Sequence, residues 1–551
     1  MAKIITFNGR QFIEPGSYAM TKSGNPAQLA AGSVGNVAII DTGLGTGYGY
    51  GSGILGQNES GEVYAFTDPK TAKRALRGGI LWDLMDYLFT PNGSGSNGVQ
   101  TLFYTRAAST TGASLQILLA GTDVKTTVIA KNEGLGGNGV KVGDVLTKGY
   151  GVRAVAGTID NTATVFEFYE GQYRGQDENG VEYEVSSDKV VNTLICRSKE
   201  LKTVGDWYKW ATKDANFNSY FRISEAPTPS VTTALVASII TTLSDITVLA
   251  GGTETYSSTA VDEVLNNIED LDNSLFLLLD YGATPDDVTT NQGIVSANNS
   301  KILAYILETS TFTDKICFGG GGQNKDEFQT VSLSSAAQYN SPYMVIVHSG
   351  VKVKSNTNVG TTALVTKNSL YHAALVCGLN AGLPSQVPCT YKPINISGLV
   401  HKMNKNEREQ AIQGGVTASR QVTGMGWVVN QGVNTLQIND DLIEADGKSP
   451  EIQIMRIVHQ MNKEICINST PRFVGGNLNT ASPAEIKAYV EGYLQDKTAK
   501  KDKDDLIIEG KNVTAELRDG TKWFVEYCFV PNGPINQLFY TGFILTPTAS
   551  I

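Results

Sequence analysis

Between residues 201 and 390, short apolar runs alternate with segments of helical period, and no other feature of the chain restricts its fold as strongly. The runs are ITVLAGG, SLFLLLD, KICFGG and YMVIVHS; TAVDEVLNNIEDL and VSANNSKILAYILET lie among them. A strand that is apolar on both faces must be covered on both. Strands that alternate with helices return in parallel. The expectation is a parallel sheet sandwiched by helices. The same grammar appears earlier, where NVAII (Asn36 to Ile40), the helical stretch TAKRALRGGILWDLMDYLF and TLFYTRA (Thr101 to Ala107) form a βαβ unit.

The remaining segments read differently. From about 108 to 200, short alternating runs such as VFEFYE and VEYEVSS are broken by Gly, Asn and Asp, the pattern of a small all-β insert. From 391 onward, strands (GWVVNQGVNTLQI, WFVEYCFVP, QLFYTGFILTP) mix with two helices near 451–466 and 482–496. The second is well marked: Ser482 caps it, Pro483 takes the first helical position, and Glu485 completes a capping box. Ile486, Tyr489, Val490, Tyr493 and Leu494 give it one buried face. Just before it, RFVGGN reads as a strand running into a Gly475–Gly476 turn. At the amino end, Ile4, Ile5 and Phe7, then Phe12 and Ile13, follow no helical period and suggest an extended arm.

The division expected is an arm over 1–24, an α/β segment over 25–107, a β-rich insert over 108–200, an α/β domain over 201–390, an α+β domain over 391–534 and a strand arm over 535–551. A chain of 551 residues has room for three or four such cores. A net charge of −10 leaves no broad basic face, so no direct nucleic-acid contact is expected. No apolar run reaches the roughly 18 residues of a membrane helix, and MAKIITFNGRQF lacks the apolar centre of a signal peptide. The chain is expected in the cytoplasm with no membrane insertion.

Candidate chemistry is sparse. Six cysteines stand singly, with no CxxC pair, and read as buried small apolar residues. None of the four histidines has a metal-ligand spacing. In the tract Gly43 to Gly53, the GxGxxG registers that start at Gly43, Gly45, Gly47 and Gly49 fail, because Tyr48, Tyr50, Ser52 or Ile54 takes the third glycine position. The GKS at Gly447 to Ser449 would need a glycine where Leu442 stands. GGGGQNKDEF follows a strand that ends at Phe318, the position where open α/β sheets bind small molecules. The sharpest catalytic idea is a hydrolase using Asp280, His348 and a serine, but no GxSxG elbow is present. The Gly475–Gly476 turn lacks both the lysine and the glycine spacing of a phosphate loop. No catalytic, cofactor or metal residue is assigned. The competing reading is an α/β hydrolase or nucleotide-binding enzyme with an attached assembly domain.

Five stretches carry more specific information when taken in order: SLYHAALVCGLNAGLPSQVPCTYKPI (Ser369 to Ile394), NEREQAIQGGV (Asn406 to Val416), VVNQGVNTL (Val428 to Leu436), IQIMRIVHQMNKEI (Ile452 to Ile465) and RFVGGNLNTASPAEIKAYVEGYL. Together they resemble the contractile tail sheath proteins of bacteriophages over about 180 residues, with EGLGGN (Glu133 to Asn138) similar to a GxxGN of that family's variable β domain. The chain departs from the family pattern at Gln431, often charged there, and at His459, often Asp.

The resemblance implies a subtilisin-like α/β domain used as a building block and not as a protease, and no cofactor. It also implies a homo-oligomer of stacked rings or helical strands around an inner tail tube protein, with baseplate and tail terminator partners. Such a protein is assembled in the host cytoplasm and resides in the virion tail. Contraction would drive the tube through the bacterial envelope for genome delivery.

The two chain ends pose a problem of their own. Leu538, Tyr540 and Ile544 point one way along QLFYTGFILTP, and Phe539, Phe543 and Leu545 the other. Such an edge must be covered, in its own subunit or by a neighbour. The patch around Ile4, Ile5 and Phe7 shares the problem. The resemblance implies that both arms add strands to other copies.

Overall fold

The chain is described from a computed structural model that covers residues 5–7, 10–12, 35–41, 63–76, 79–93, 98–120, 124–133, 137–171, 193–224, 232–256, 258–269, 271, 275–279, 292–309, 315–354, 364–437, 448–475, 482–498, 506–518 and 522–534. Its largest sheet has eight strands, in the spatial order Gly426–Gln431, Val416–Val422, Met344–Val347, Ile316–Gly320, Leu275–Leu279, Asn36–Asp41, Thr101–Arg106 and Val63–Phe66. The six central strands run parallel, and the two outermost pairs are antiparallel.

Alternation along these strands explains why helices flank them. Val37, Ile39, Phe318, Val345 and Val347 enter one core with the helix Ser369–Gly382. Ala38, Ile40, Cys317, Met344 and Ile346 enter the opposite core with Val261, Val264, Ile302 and Ile306. In the Ser369–Gly382 helix every residue from Ser369 to Ala381 is buried. Only small side chains let it lie so deep: a Cβ on Gly378 would stand 2.5 Å from the Leu88 carbonyl of the helix Gly79–Phe89. The single helix read across TAKRALRGGILWDLMDYLF is two, Pro69–Leu76 and Gly79–Phe89.

A second core is built by two four-stranded sheets facing each other, with Ile117, Leu119 and Val128 on one side and Val152, Phe166 and Phe168 on the other. Helices Val204–Lys213 and Ala215–Tyr220 close it. Their Trp207 and Phe217 rings lie 4.8 Å from Phe166 and 5.2 Å from Phe168. This β-rich body runs from Ala108 to Tyr256. ITVLAGG therefore contributes no strand to the parallel sheet. Its Thr247–Val248 pairs antiparallel with Gly151 and Val152, and Leu249 fills the β-rich core.

A third, smaller core lies under the hairpin Ile507–Arg518 and Lys522–Pro531. The helices Ile452–Phe473 and Pro483–Lys497 supply its other wall through Ile457, Met461, Ile465, Val490 and Leu494. The longer helix belongs to two cores, since its Ile452 and Met455 pack into the main one. Residues 472 and 473, read from sequence as strand, are its last turn. Gly475 follows at φ +82°, the left-handed conformation that ends helices. Ser482 and Glu485 form the expected capping box. Strands Ile5–Phe7 and Arg10–Phe12 pair with each other as a separate ribbon.

Candidate functional site

The carboxyl ends of the parallel strands are where an open α/β sheet would bind a ligand. Among the described residues, the end of the strand Ile316–Gly320 is covered by the chain itself. A Cβ on Gly320 would stand 2.6 Å from Ser369 Oγ, on Gly321 2.6 Å from Ser332 Oγ, and on Gly322 2.6 Å from the Glu327 carbonyl oxygen. Gln323 donates from Nε2 to Ser369 Oγ at 2.9 Å, and Glu327 accepts its main-chain N–H at 2.6 Å. The glycines of GGGGQNKDEF serve close packing against Ser332, Ser369 and Glu327.

Under this loop sits a chain of polar groups. Ser332 lies in a π-helical segment, Phe328–Leu333. Its Oγ accepts the Gly322 N–H at 2.7 Å and stands 2.8 Å from Nδ1 of His348, the residue that follows the strand Met344–Val347. His348 Nε2 lies 2.9 Å from His401 Nδ1, and His401 Nε2 lies 3.4 Å from Glu407 Oε2. His372, in the first turn of its helix, uses Nδ1 to donate to the carbonyls of His348 (2.9 Å) and Ser349 (3.2 Å). Its Nε2 is 2.7 Å from Ser419 Oγ. Burial, with a smaller push from the neighbouring histidines, lowers His348 to about 3, and burial lowers His372 to about 4. Both rings are neutral at pH 7.

A serine does stand against His348, as a hydrolase would need, but Ser332 is fully buried, with 0% exposure. No substrate carbonyl reaches it, and one lone pair is taken by Gly322 N–H. Asp280 lies outside the described residues, as do Gly43 to Gly53, Gly447 and Gly476. Ser449 is buried and uses its carbonyl to accept from Asn434 Nδ2 at 2.8 Å. Five of the six cysteines are buried and Cys528 is half-buried; none forms a disulfide. Among the described residues no cluster of metal-ligating side chains occurs, and no helix is long and apolar enough to cross a membrane.

Of the residues expected to exchange strands, Ile5 and Phe7 lie in the amino-terminal ribbon. Ile4, Leu538, Phe539, Tyr540, Phe543, Ile544 and Leu545 fall outside the described residues. The feature nearest to them in the chain is the carboxyl-terminal hairpin. It forms a sheet of only two strands, so among the described residues the outer edges of Ile507–Arg518 and Lys522–Pro531 have no strand beside them. Gln453 ties this hairpin's end to the rest, donating from Nε2 to the carbonyls of Asn532 (2.8 Å) and Gln386 (2.5 Å). The two residues that depart from the family pattern are accommodated locally. Gln431 Nε2 donates to Glu451 Oε1 at 2.5 Å, and the buried His459 ring stacks on Tyr343 at 5.3 Å.

Sequence reasoning missed the Ser332 and His401 partners of His348. It also left unexplained the asparagine of EGLGGN, which donates from Nδ2 to the Gly252 carbonyl at 2.8 Å and accepts Gly252 N–H at 2.7 Å, acting as a side-chain strand that closes the β-rich body.

The described residues form a mixed α/β scaffold of several cores. No family model matches the chain. The tail sheath protein of Bacillus phage SP01 is 22% identical over 600 aligned positions, covering 99% of this chain and 97% of that protein. A crystal structure of a sheath tail protein from Desulfitobacterium hafniense superposes with a TM-score of 0.54 at 15% identity, covering 90% of this chain and 96% of that one. A second, from Listeria innocua, gives a TM-score of 0.49 at 14% identity, covering 92% and 97%. Along almost its whole length the chain is thus similar in sequence to a phage tail sheath protein, and it shares the fold of a sheath tail protein.

Proposed function

We propose that the chain is the repeating subunit of a contractile sheath that polymerises around an inner tube and shortens to drive that tube through a bacterial envelope. The observation that carries this reading is the colinear match to a phage tail sheath protein along 99% of the chain. The energy of contraction resides in subunit interfaces set at assembly, which needs no nucleotide or cofactor. The inner tube, baseplate and tail terminator are the partners this function requires, with the virion tail as the location and the host cytoplasm as the place of assembly.

Within that reading the parallel α/β part is a subtilisin-like domain used as scaffold. The division is an arm over 1–24, an α/β segment over 25–107, an insert from 108, the α/β domain, a carboxyl-terminal assembly part within 391–534 and an arm over 535–551. The core shared by Phe166, Trp207 and Leu249 supports placing the insert's end near Tyr256. Ile4, Ile5 and Phe7, and Leu538, Phe539, Tyr540, Phe543, Ile544 and Leu545, add strands to the hairpin edges of neighbouring copies. Among the described residues no strand flanks the 507–531 hairpin, which supports that assignment, because an exposed edge is a template for another strand. Purified protein concentrated and viewed by negative-stain microscopy is expected to contain hollow striated cylinders. Discrete particles under every condition of salt and concentration would reject the proposal.

A further inference from the structure

We propose that the His348–His401 pair, tied at its ends to Ser332 and Glu407, is an acid-operated latch. It holds the segment 328–333 and the helix Lys405–Gln413 against the carboxyl ends of the parallel strands, and it releases them on taking up a second proton. The inference stands apart from any polymer, since it concerns the folded subunit alone.

The geometry permits only certain proton counts. Two ring nitrogens 2.9 Å apart share one hydrogen, so His348 Nε2 and His401 Nδ1 are one donor and one acceptor. With both rings neutral, His401 Nε2–H points at the Glu407 carboxylate and His348 Nε2–H at His401 Nδ1. His348 Nδ1 then accepts from the Ser332 hydroxyl. One added proton is tolerated by reversing the run. His401 then donates from both nitrogens, His348 donates from Nδ1 to Ser332 Oγ, and the positive charge sits beside Glu407. A second proton leaves two N–H groups facing each other at 2.9 Å in a buried site, and the contact cannot persist.

Nothing else nearby offsets that charge. The Phe328 ring packs on both imidazoles, with centroids at 5.0 and 6.0 Å. His372 faces His348 through its carbonyl and takes no part in the shared bond. Charged groups on the surrounding elements are Lys325, Asp326, Glu327, Lys367, Lys402, Lys405, Glu407, Arg408 and Glu409; Lys405 and Glu409 are exposed and pair with each other at 3.5 Å. Lys325 approaches Glu407 at 3.9 Å; Glu327 is bound to Gln323 N–H, and Arg408 donates to the Met403 carbonyl. Lys367 and Lys402 lie over the rings of Tyr371 and Trp427.

The backbone adds to the effect. Ser349, next to His348, is held at φ +79°, and its Oγ accepts the His401 N–H at 2.9 Å. Opening the latch frees that residue to leave a conformation that a non-glycine residue adopts only under constraint.

The sign follows from the depressed folded values. A buried neutral histidine contributes stability that is present above its unfolded value near 6.5 and lost as pH falls from there towards about 3 for His348 and about 4 for His372. The carboxylates of the β-rich body behave differently. Hydrogen bonds from Lys202 and Thr162 hold Asp160 low. Glu167 is also lowered, because its bonds from Arg153 and Tyr169 outweigh its burial. Their contribution persists until pH falls below the ordinary carboxylate range. The α/β latch therefore weakens first.

Hydrogen exchange by mass spectrometry on the full chain at pH 7 and pH 5, corrected for intrinsic rates, tests this. Peptides over 322–333 and 398–413 are expected to lose protection at least tenfold at pH 5, while those over 150–170 stay unchanged. H401Q should reduce that difference between pH values, because the facing N–H pair can no longer form while His348 and His372 remain buried. E407Q should move the opening to higher pH, because the first proton loses its carboxylate. Equal loss in both bodies, or wild-type pH dependence in H401Q, would overturn the latch. Should H401Q fail to fold, an acid opening in E407Q identical to that of the wild type would overturn it.

Discussion

The parallel α/β part and the carboxyl-terminal hairpin solve the problem of a sheet in opposite ways. The eight-stranded sheet buries both faces, and segment 391–394 hydrogen-bonds along its Gly426–Gln431 edge through Tyr391, Lys392 and Ile394. The end of its strand Ile316–Gly320 is covered by Ser332, Ser369 and Glu327. The hairpin covers one face only, against two helices, and no strand flanks either edge among the described residues. Half-buried Trp523, Phe524 and Val525 remain near its turn. A finished sheet confers rigidity; an unfinished one invites a partner. One long helix, Ile452–Phe473, is anchored in both cores and joins the two.

The most drastic way to break this contrast is to cut the chain after Asn536. A folded, soluble protein that forms no cylinders is expected by size-exclusion chromatography and negative-stain microscopy. Cylinders from the shortened chain would show that residues 537–551 complete nothing in another copy.

Packing density gives the next largest effect. Gly378→Ala puts a methyl carbon 2.5 Å from the Leu88 carbonyl and should lower unfolding free energy by about 1–3 kcal/mol in denaturant titrations. Unchanged stability would mean that the two helices separate freely. In the assembly part the expected loss is smaller. Ser482→Ala removes the side chain that accepts Glu485 N–H and should cost about 1 kcal/mol, read as earlier loss of exchange protection in peptides over 483–497.

The smallest effect has the opposite sign. Gly492→Ala, in the same helix with nothing within 4 Å of the new carbon, should stabilise by about 0.5–1 kcal/mol. A destabilised Gly492→Ala variant would place an unrecognised contact on that face and sharpen the search for the neighbour.

Sequence periodicity revealed the strands that are apolar on both faces, because Phe276 to Leu279 or Val345 to Val347 leave no polar side to face water. It failed where period alone does not name the partner. The helix containing Trp207 has a clear buried face, but nothing local says that this face meets Phe166 across a β-rich core and not a parallel sheet. Residues 472 and 473 look like strand because Phe and Val favour it, whereas the end of the helix is set by Gly475. The His348 cluster was invisible for a different reason. His401 comes 53 positions later and Ser332 16 earlier, so only the completed fold brings them together. The hydrolase idea began from the right histidine and lacked the one observation that removes it, a fully buried hydroxyl.

The order of strands in the large sheet also bears on how the chain is made. Asn36–Asp41 is an interior strand, between Thr101–Arg106 and Leu275–Leu279. The second neighbour emerges from the ribosome about 230 residues later. At roughly 5–20 residues per second this is a delay of some 10 to 50 s. Once Thr101–Arg106 has emerged, the nascent strand, with Val37 to Ile40 apolar on both sides, can pair on one flank while the other stays open until Leu275–Leu279 arrives. The entire β-rich body is synthesised during the wait and can fold first. The growing chain thus carries an incomplete sheet beside a finished domain.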